Sequence, residues 1–171
     1  MIIAAIITTL ADQLTKLLAI RKLSGDRSVT IIPDFFDLRL VYNEGAAWGI
    51  LQGQRAILVA VSVIMLGFVV RNRKEFAKNG RFSGIMLGVL TGGITGNLID
   101  RLLTGKVVDF LDFHWKDFYN FPVFNIADTA ICIGIFFLFA TQFKHREPND
   151  APEPENPEPE NPEARESENS E

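Results

Sequence analysis

The sequence predicts a mainly α-helical membrane protein with four transmembrane helices, cytoplasmic N- and C-termini, and a small β-sheet cradle and loop on the outer membrane surface. Three observations predict this architecture. Four stretches of the chain are long and apolar, basic residues are concentrated in one short connection, and the connection after the first stretch has the composition of two β-strands.

The four apolar stretches account for the predicted helices. A helix needs about 20 apolar residues to cross the hydrocarbon core; the last stretch reaches this length alone, and the second and third reach it with their flanks. The second stretch has no polar face at the helical period, which disfavours a soluble bundle. The first lacks the basic start and the cleavage site of a signal peptide. The stretches are residues 1–20, 56–70, 82–99 and 121–143.

The short connections predict the orientation, because loops rich in lysine and arginine stay on the cytoplasmic side. The connection between the second and third stretches contains five basic residues and a single acid, Glu75. Lys144, His145 and Arg146 follow the last stretch. We therefore expect this loop and both termini to be cytoplasmic, and residues 21–55 and 101–120 to face outwards.

The first outward-facing connection is expected to fold. Residues 28–32 and 38–42 are rich in β-branched and aromatic residues, and a turn-like segment containing Pro33 separates them. A small sheet on the outer membrane surface follows. Phe35, Phe36, Trp48 and Trp115 would suit the interfacial aromatic belt.

Composition divides the chain into two regions. Residues 147–171 hold ten acidic residues and six of the eight prolines, whereas residues 1–146 carry a net charge of +5. The second region has almost no apolar surface to bury and is expected to be a disordered tail. We therefore expect a membrane-embedded domain, 1–146, and an acidic tail, 147–171.

Polar residues at membrane depth mark candidate sites, because charges inside apolar helices are rare and usually functional. Asp12 and Lys16 are one helical turn apart and predict a structural ion pair. Gly45 permits a close approach of the backbone. Asp109 and Asp128 can both lie near the outer surface, where two carboxylates without a matching pair of basic groups suggest a shared proton.

Three other interpretations compete with a paired-carboxylate site. A metal hydrolase would use Asp109, Asp112, His114 and Asp117, but His114 is the sole nitrogen ligand of that set and no HExxH spacing occurs. A transporter or channel would spread polar residues through the membrane depth, whereas here they cluster at the outer end. A membrane scaffold would recruit partners through the acidic tail.

Four sequence blocks, in this order, resemble the lipoprotein signal peptidases, the bacterial signal peptidase II family. They are DQLTK at 12–16, NEGAAWG at 43–49, GNLIDR with GKVVDF at 96–110, and FNIAD at 124–128. The resemblance covers residues 1–146 and says nothing about the tail. It implies a four-helix membrane aspartyl endopeptidase that removes the signal peptide of diacylglyceryl-modified prolipoproteins on the amino side of the lipidated cysteine.

The resemblance also implies roles for individual residues. The catalytic pair is Asp109 and Asp128. The positions that line the substrate groove are Asn43, Asn97, Arg101 and Asn125. The positions of structural support are Asp12, Lys16 and Asp100, to which we add Gly45 for its close backbone approach.

The expected partners follow from the same family. They are diacylglyceryl-prolipoprotein substrates, membrane lipids and lipopeptide inhibitors of the globomycin type, with no nucleic acid, no cofactor and no metal. We expect a monomer in the bacterial cytoplasmic (inner) membrane, with the active site towards the extracytoplasmic side.

Overall fold

The structure is a computed structural model that describes residues 1–144 apart from positions 26, 79 and 117. The predicted tail, the basic residues His145 and Arg146, and Asp117 of the metal alternative lie outside the described residues.

The helices follow the apolar stretches closely. Their bounds are Ile2–Leu23 for α1, Arg55–Arg71 for α2, Arg73–Ala77 for α3, Arg81–Leu103 for α4 and Ile126–Lys144 for α5. The central helix is α4, which packs against α1, α2 and α5. The short helix α3 occupies the basic connection before it.

Within the described part of the chain, two helices, α1 and α4, are long and apolar enough to cross a membrane. The helix α5 contributes a shorter apolar segment, Ile126–Thr141, and α2 has 17 residues. The count of four spans and the cytoplasmic position of both termini therefore stay predictions.

The surface of α1 reverses the pattern of a soluble helix. Its buried face carries Asp12 and Lys16, whereas Ile3, Ile7 and Leu10 are 61–74% exposed on the other faces. Apolar surface exposed in this way is unfavourable in water and favourable in lipid. The helix is therefore built for an apolar surrounding, with its polar groups turned towards the protein interior.

Glycines bring α4 close to its neighbours. A Cβ atom on Gly92 would lie 2.6 Å from the Ala5 carbonyl oxygen of α1, and one on Gly93 would lie 2.6 Å from the Ala127 carbonyl oxygen of α5. Such approaches are typical of helix packing in membranes, where small residues let backbones come together.

Among the described residues, the sheet has four antiparallel strands, which lie side by side in the order in which they follow one another along the chain. The two predicted strands are present as β1, Ser28–Ile32, and β2, Phe36–Asn43. The next strand, β3, Val107–Trp115, lies in the segment that was expected to be an outward-facing connection, and β4 is the short segment Tyr119–Asn120. Pairing of β2 with β3 puts Val41 opposite Asp109 and Asn43 opposite Val107. The sheet therefore places Asp109 at one end of the helix bundle.

Candidate active site

Asp109 is held on β3 by two asparagine side chains. The carboxylate is 1% exposed. Asn43 Nδ2, from the end of β2, donates to Asp109 Oδ2 at 3.0 Å, and Asn125 Nδ2 donates to Oδ1 at 2.7 Å. Both oxygens therefore accept a hydrogen bond from a neutral donor.

Asp128 is held in the first turn of α5 by a reciprocal cap. The side chain of Asn125, just before the helix, accepts from the Asp128 backbone N–H at 2.9 Å, and Asp128 Oδ2 accepts from the Asn125 backbone N–H at 3.2 Å. This is the geometry of a capping box with aspartate at its third helical position. The other oxygen, Oδ1, accepts from Asn97 Nδ2 of α4 at 2.7 Å.

The electrostatics of Asp109 favour proton sharing near neutral pH. Burial raises the pKa of its carboxyl from the ordinary 3.8 to about 7, and the charge of Asp128 adds to the rise. The hydrogen bonds from Asn43 and Asn125 oppose it, because they stabilise the ionised form. A carboxyl with this pKa exchanges its proton readily near neutrality, as an acid–base catalyst must.

Both carboxylates line a cavity of about 1020 Å³ at one end of the helix bundle. Asn43 and Arg101 line it beside them. Apolar and aromatic residues from the segment before α5 and from α5 itself complete much of the wall, among them Phe121, Phe124, Ile131 and Ile133. The cavity therefore combines a small polar centre with an apolar surround, as ligand sites commonly do.

The loop after β2 closes one side of this cavity. Arg101 donates from its guanidinium to the Gly45 carbonyl oxygen at 3.1 Å, and the Gly45 N–H donates to Asn43 Oδ1 at 2.9 Å. A Cβ on Gly45 would lie 2.8 Å from the Ile50 carbonyl oxygen, so the close backbone approach predicted from the sequence is confirmed. Trp48 follows in a left-handed conformation, φ 61°, and meets Phe121 edge-on at 5.7 Å.

A buried ion-pair network lies beneath the pair. Lys16 Nζ is 2.9 Å from Asp12 Oδ2, which confirms the predicted pair, and 2.9 Å from Asp100 Oδ2. Asp12 Oδ1 also accepts from the Ala127 backbone N–H at the start of α5, and Asp100 Oδ2 from the Val108 N–H of β3. The network connects α1, α4, α5 and β3 close to the two catalytic candidates, Asp109 and Asp128.

The other predicted positions separate into two layers. Asn43 and Arg101 face the cavity, whereas Asn97 and Asn125, 5% and 0% exposed, lie beneath the two carboxylates. Gln13, whose amide donates to Asp100 Oδ1 at 2.9 Å, was not among the predicted positions. Its place beside Asp12 in the block DQLTK was the available signal.

The described residues of the metal alternative have different surroundings. Asp112 pairs with Arg39 at 2.7 Å, while His114 lines a second, aromatic cavity. Among the residues that the structure describes, no three His, Cys, Asp or Glu side chains are grouped so as to hold a metal ion.

An apolar exterior and a cavity that holds a buried carboxylate, Asp109, and a half-buried one, Asp128, define a membrane protein with an enzyme-like site. Solved structures agree on the class. The chain is similar to a bacterial membrane enzyme determined by the in meso method at 2.3 Å, with 33% identity, a TM-score of 0.79 and 90% of this chain and 93% of that one covered. A second bacterial membrane enzyme, determined at 1.9 Å, has 34% identity and a TM-score of 0.73, with 84% and 92% covered.

The family model for signal peptidase (SPase) II matches residues 4–144, and the chain belongs to this family of peptidases. Two curated relatives are lipoprotein signal peptidases, each 39% identical. The alignment with the relative from Symbiobacterium thermophilum covers 81% of this chain and 90% of that relative. The one from Maridesulfovibrio salexigens covers 84% and 95%.

Proposed function

We propose that the chain is a membrane aspartyl endopeptidase that removes the signal peptide from diacylglyceryl-modified prolipoproteins, cleaving on the amino side of the lipidated cysteine. Membership of the signal peptidase II family supports the substrate class. The observation that carries the catalytic type is the shared cavity of Asp109 and Asp128, in which both carboxylates are oriented by hydrogen bonds from neutral donors.

The proposed reaction is the direct attack of water on the scissile carbonyl carbon. The ionised carboxyl of the pair takes a proton from the water, while the protonated carboxyl donates a hydrogen bond to the carbonyl oxygen. The resulting tetrahedral intermediate loses its C–N bond as the leaving amine of the cysteine receives a proton. The two aspartates titrate as one unit, so both roles belong to the pair.

Residues around the pair would position the substrate. Asn43 and Arg101 offer N–H donors at the cavity wall to the carbonyl groups of an extended peptide. Trp48 and Phe121, whose rings meet edge-on, line the same cavity. The apolar wall of α5 is suited to the signal peptide or an acyl chain, because burying such groups is favourable in a lipid-like surround.

The proposed setting is the bacterial inner membrane, with four spans, both termini cytoplasmic and the cavity on the extracytoplasmic side. The concentration of basic residues around α3 supports this orientation. A monomer, inhibition by lipopeptides of the globomycin type and a separate acidic tail at 147–171 belong to the same proposal.

The test is incubation of the purified protein in detergent micelles with a diacylglyceryl-modified prolipoprotein, followed by mass spectrometry of the products. We expect a new N-terminus at the lipidated cysteine, both with and without a strong chelator. An intact precursor would overturn the proposal, and cleavage abolished by the chelator would favour the metal hydrolase instead.

A further inference from the structure

A single side chain, that of Asn97, separates Lys16 from the catalytic candidate Asp128. Lys16 is 2% exposed. Its Nζ atom donates to Asp12 Oδ2, Asp100 Oδ2 and Asn97 Oδ1, each at 2.9 Å. An ammonium has three donors and no acceptor, so these three bonds use its full capacity. Two of them form ion pairs, and the third goes to a neutral amide that itself contacts Asp128.

Asn97 connects Lys16 to Asp128. Its Oδ1 accepts from Lys16 and from Asn125 Nδ2, at 2.9 and 3.1 Å, and its Nδ2 donates to Asp128 Oδ1 at 2.7 Å. The two ends of an amide have nearly the same shape, so its partners decide which end points where. A flipped Asn97 would turn its nitrogen towards the ammonium, which has only donors, and its oxygen towards a carboxylate. Lys16 therefore permits one orientation.

The second amide of the site is fixed independently, by the backbone. Asn125 Oδ1 accepts from the Asp128 N–H at 2.9 Å, which turns Asn125 Nδ2 towards Asn97 and Asp109. Asp109 thus depends on a helix cap for one of its donors, whereas the side-chain donor to Asp128 depends on a buried cation.

We propose that Lys16 is a positioning residue for the reaction: its ammonium holds the Asn97 amide in the orientation that donates to Asp128, and so sets the orientation of that carboxylate. Lys16 acts through Asn97 and not on the substrate. The inference rests on the proposed function and adds to it a residue for which we had expected only structural support.

The charged groups around Lys16 lie on several elements. Its ammonium contacts Asp12 of α1 and Asp100 of α4, and its charge acts on Asp109 of β3 and Asp128 of α5. The positive charge of Lys16 lowers the pKa of Asp109. Loss of that charge therefore has a second consequence, a shift of the pH dependence, which a purely structural residue would not produce.

The test compares Lys16→Met with Gln13→Leu. Gln13 Nε2 donates to Asp12 Oδ2 at 3.2 Å and to Asp100 Oδ1 at 2.9 Å, so it contacts the same two carboxylates as Lys16, and its third bond goes to the Gly96 carbonyl oxygen.

We expect kcat on lipidated precursor to fall about 100-fold in Lys16→Met, because a small misplacement of a reacting group has an effect of that size. KM should stay unchanged, and the alkaline limb of the kcat profile should move to higher pH.

Gln13→Leu should lower thermal stability and keep the wild-type kcat and pH profile. Thermal unfolding in micelles shows whether each variant is folded. If Lys16→Met does not fold, kcat is measured for Asn97→Ala in its place. A folded Lys16→Met, or Asn97→Ala in its place, with kcat within threefold of wild type would overturn the inference. Equal kcat losses in Lys16→Met and Gln13→Leu would do the same.

These outcomes are distinct from a failure of the proposed function. In that case the wild type would not cleave the precursor, or Asp109→Asn would remain active. The inference alone fails when the wild type cleaves, Asp109→Asn is inactive and Lys16→Met matches the wild type.

Discussion

The four oxygens of Asp109 and Asp128 receive their hydrogen bonds from three asparagine amides and one backbone N–H. Neutral donors orient a carboxylate without supplying a full positive charge. A lysine or arginine in direct contact would favour ionisation of both carboxyls and remove the proton that the pair has to share. The nearest cation of the network, Lys16, contacts an amide of the site instead.

Asp109→Asn and Asp128→Asn should each abolish cleavage, with a loss of 1000-fold or more, of the order that general acid–base catalysis contributes (about 10² to 10⁴). An amide can neither accept a proton from water nor share one with the remaining carboxylate. Rates on lipidated precursor give the result, and thermal unfolding shows that the variants are folded. Turnover near the wild-type level in either variant would remove that residue from the catalytic pair.

The raised pKa of Asp109 predicts a pH dependence of both activity and stability. Activity should fall as the pH rises through about 7, where the pair loses its shared proton. The native state holds this proton more tightly than the unfolded chain, whose aspartates titrate near 3.8. The associated stability is therefore complete below about pH 3.8 and is lost as the pH rises towards 7.

Measurement of kcat and of the melting temperature between pH 4 and 9 tests whether activity and stability fall as the pH rises. Asp109→Asn provides the matched control for stability. Its melting temperature should decline less across the same interval. An alkaline limb near pH 4, with no limb near 7, would contradict the assignment.

At the scale of elements, α4 is the helix against which the site is assembled. It contacts α1, α2 and α5, and its C-terminal half contributes Asn97, Asp100 and Arg101. The position of α1 against α4 decides whether Asp12 and Lys16 meet these groups. Gly96 sits at that contact, where a Cβ would lie 2.4 Å from Asp12 Oδ2.

Gly96→Ala should therefore destabilise the protein by about 1–3 kcal/mol, the usual effect of overpacking, and should lower activity because it displaces Asp12. Gly84→Ala on the same helix is the control: among the described residues outside its own helix turn, no heavy atom lies within 4 Å of the new Cβ. It should be neutral or slightly stabilising. Denaturant or thermal unfolding in micelles compares the two variants, and equal stabilities would contradict this account of the contact.

At the scale of the whole molecule, the cavity lies at one end of a bundle whose outer surface is apolar. Its wall passes from the polar pair to the apolar residues of α5. A substrate anchored in the membrane by acyl chains would therefore reach the two carboxylates by lateral movement, with its peptide at the polar end and its lipid along the apolar wall.

Unlipidated precursor should accordingly be cleaved much more slowly than the diacylglyceryl form. Each buried methylene contributes about 0.8 kcal/mol, so two acyl chains hold the peptide firmly at the membrane surface. The comparison uses matched micelles and the same peptide sequence with and without the lipid. Equal rates would mean that the lipid is not recognised, even if the aspartates are catalytic.

Much of this architecture was readable from the sequence because it depends on local properties. The apolar stretches predicted helices whose observed bounds differ by only a few residues at most ends, since a long apolar segment must satisfy its own backbone hydrogen bonds in lipid. The composition of residues 28–32 and 38–42 predicted two strands. The four motif blocks identified the family, whereas the catalytic pair that they imply, Asp109 and Asp128, stays a prediction.

The tertiary structure alone decided how these parts meet. The strand β3 was not predicted, because its apolar segment borders a helix and contains two aspartates, and only pairing with β2 makes it a strand. Asn97 and Asn125 were expected in the groove, and the fold buries them beneath the carboxylates. Lys16 bonds to Asn97 across 81 positions of sequence. Contacts of this kind depend on the rotation of each helix and the register of each strand, which no local pattern encodes.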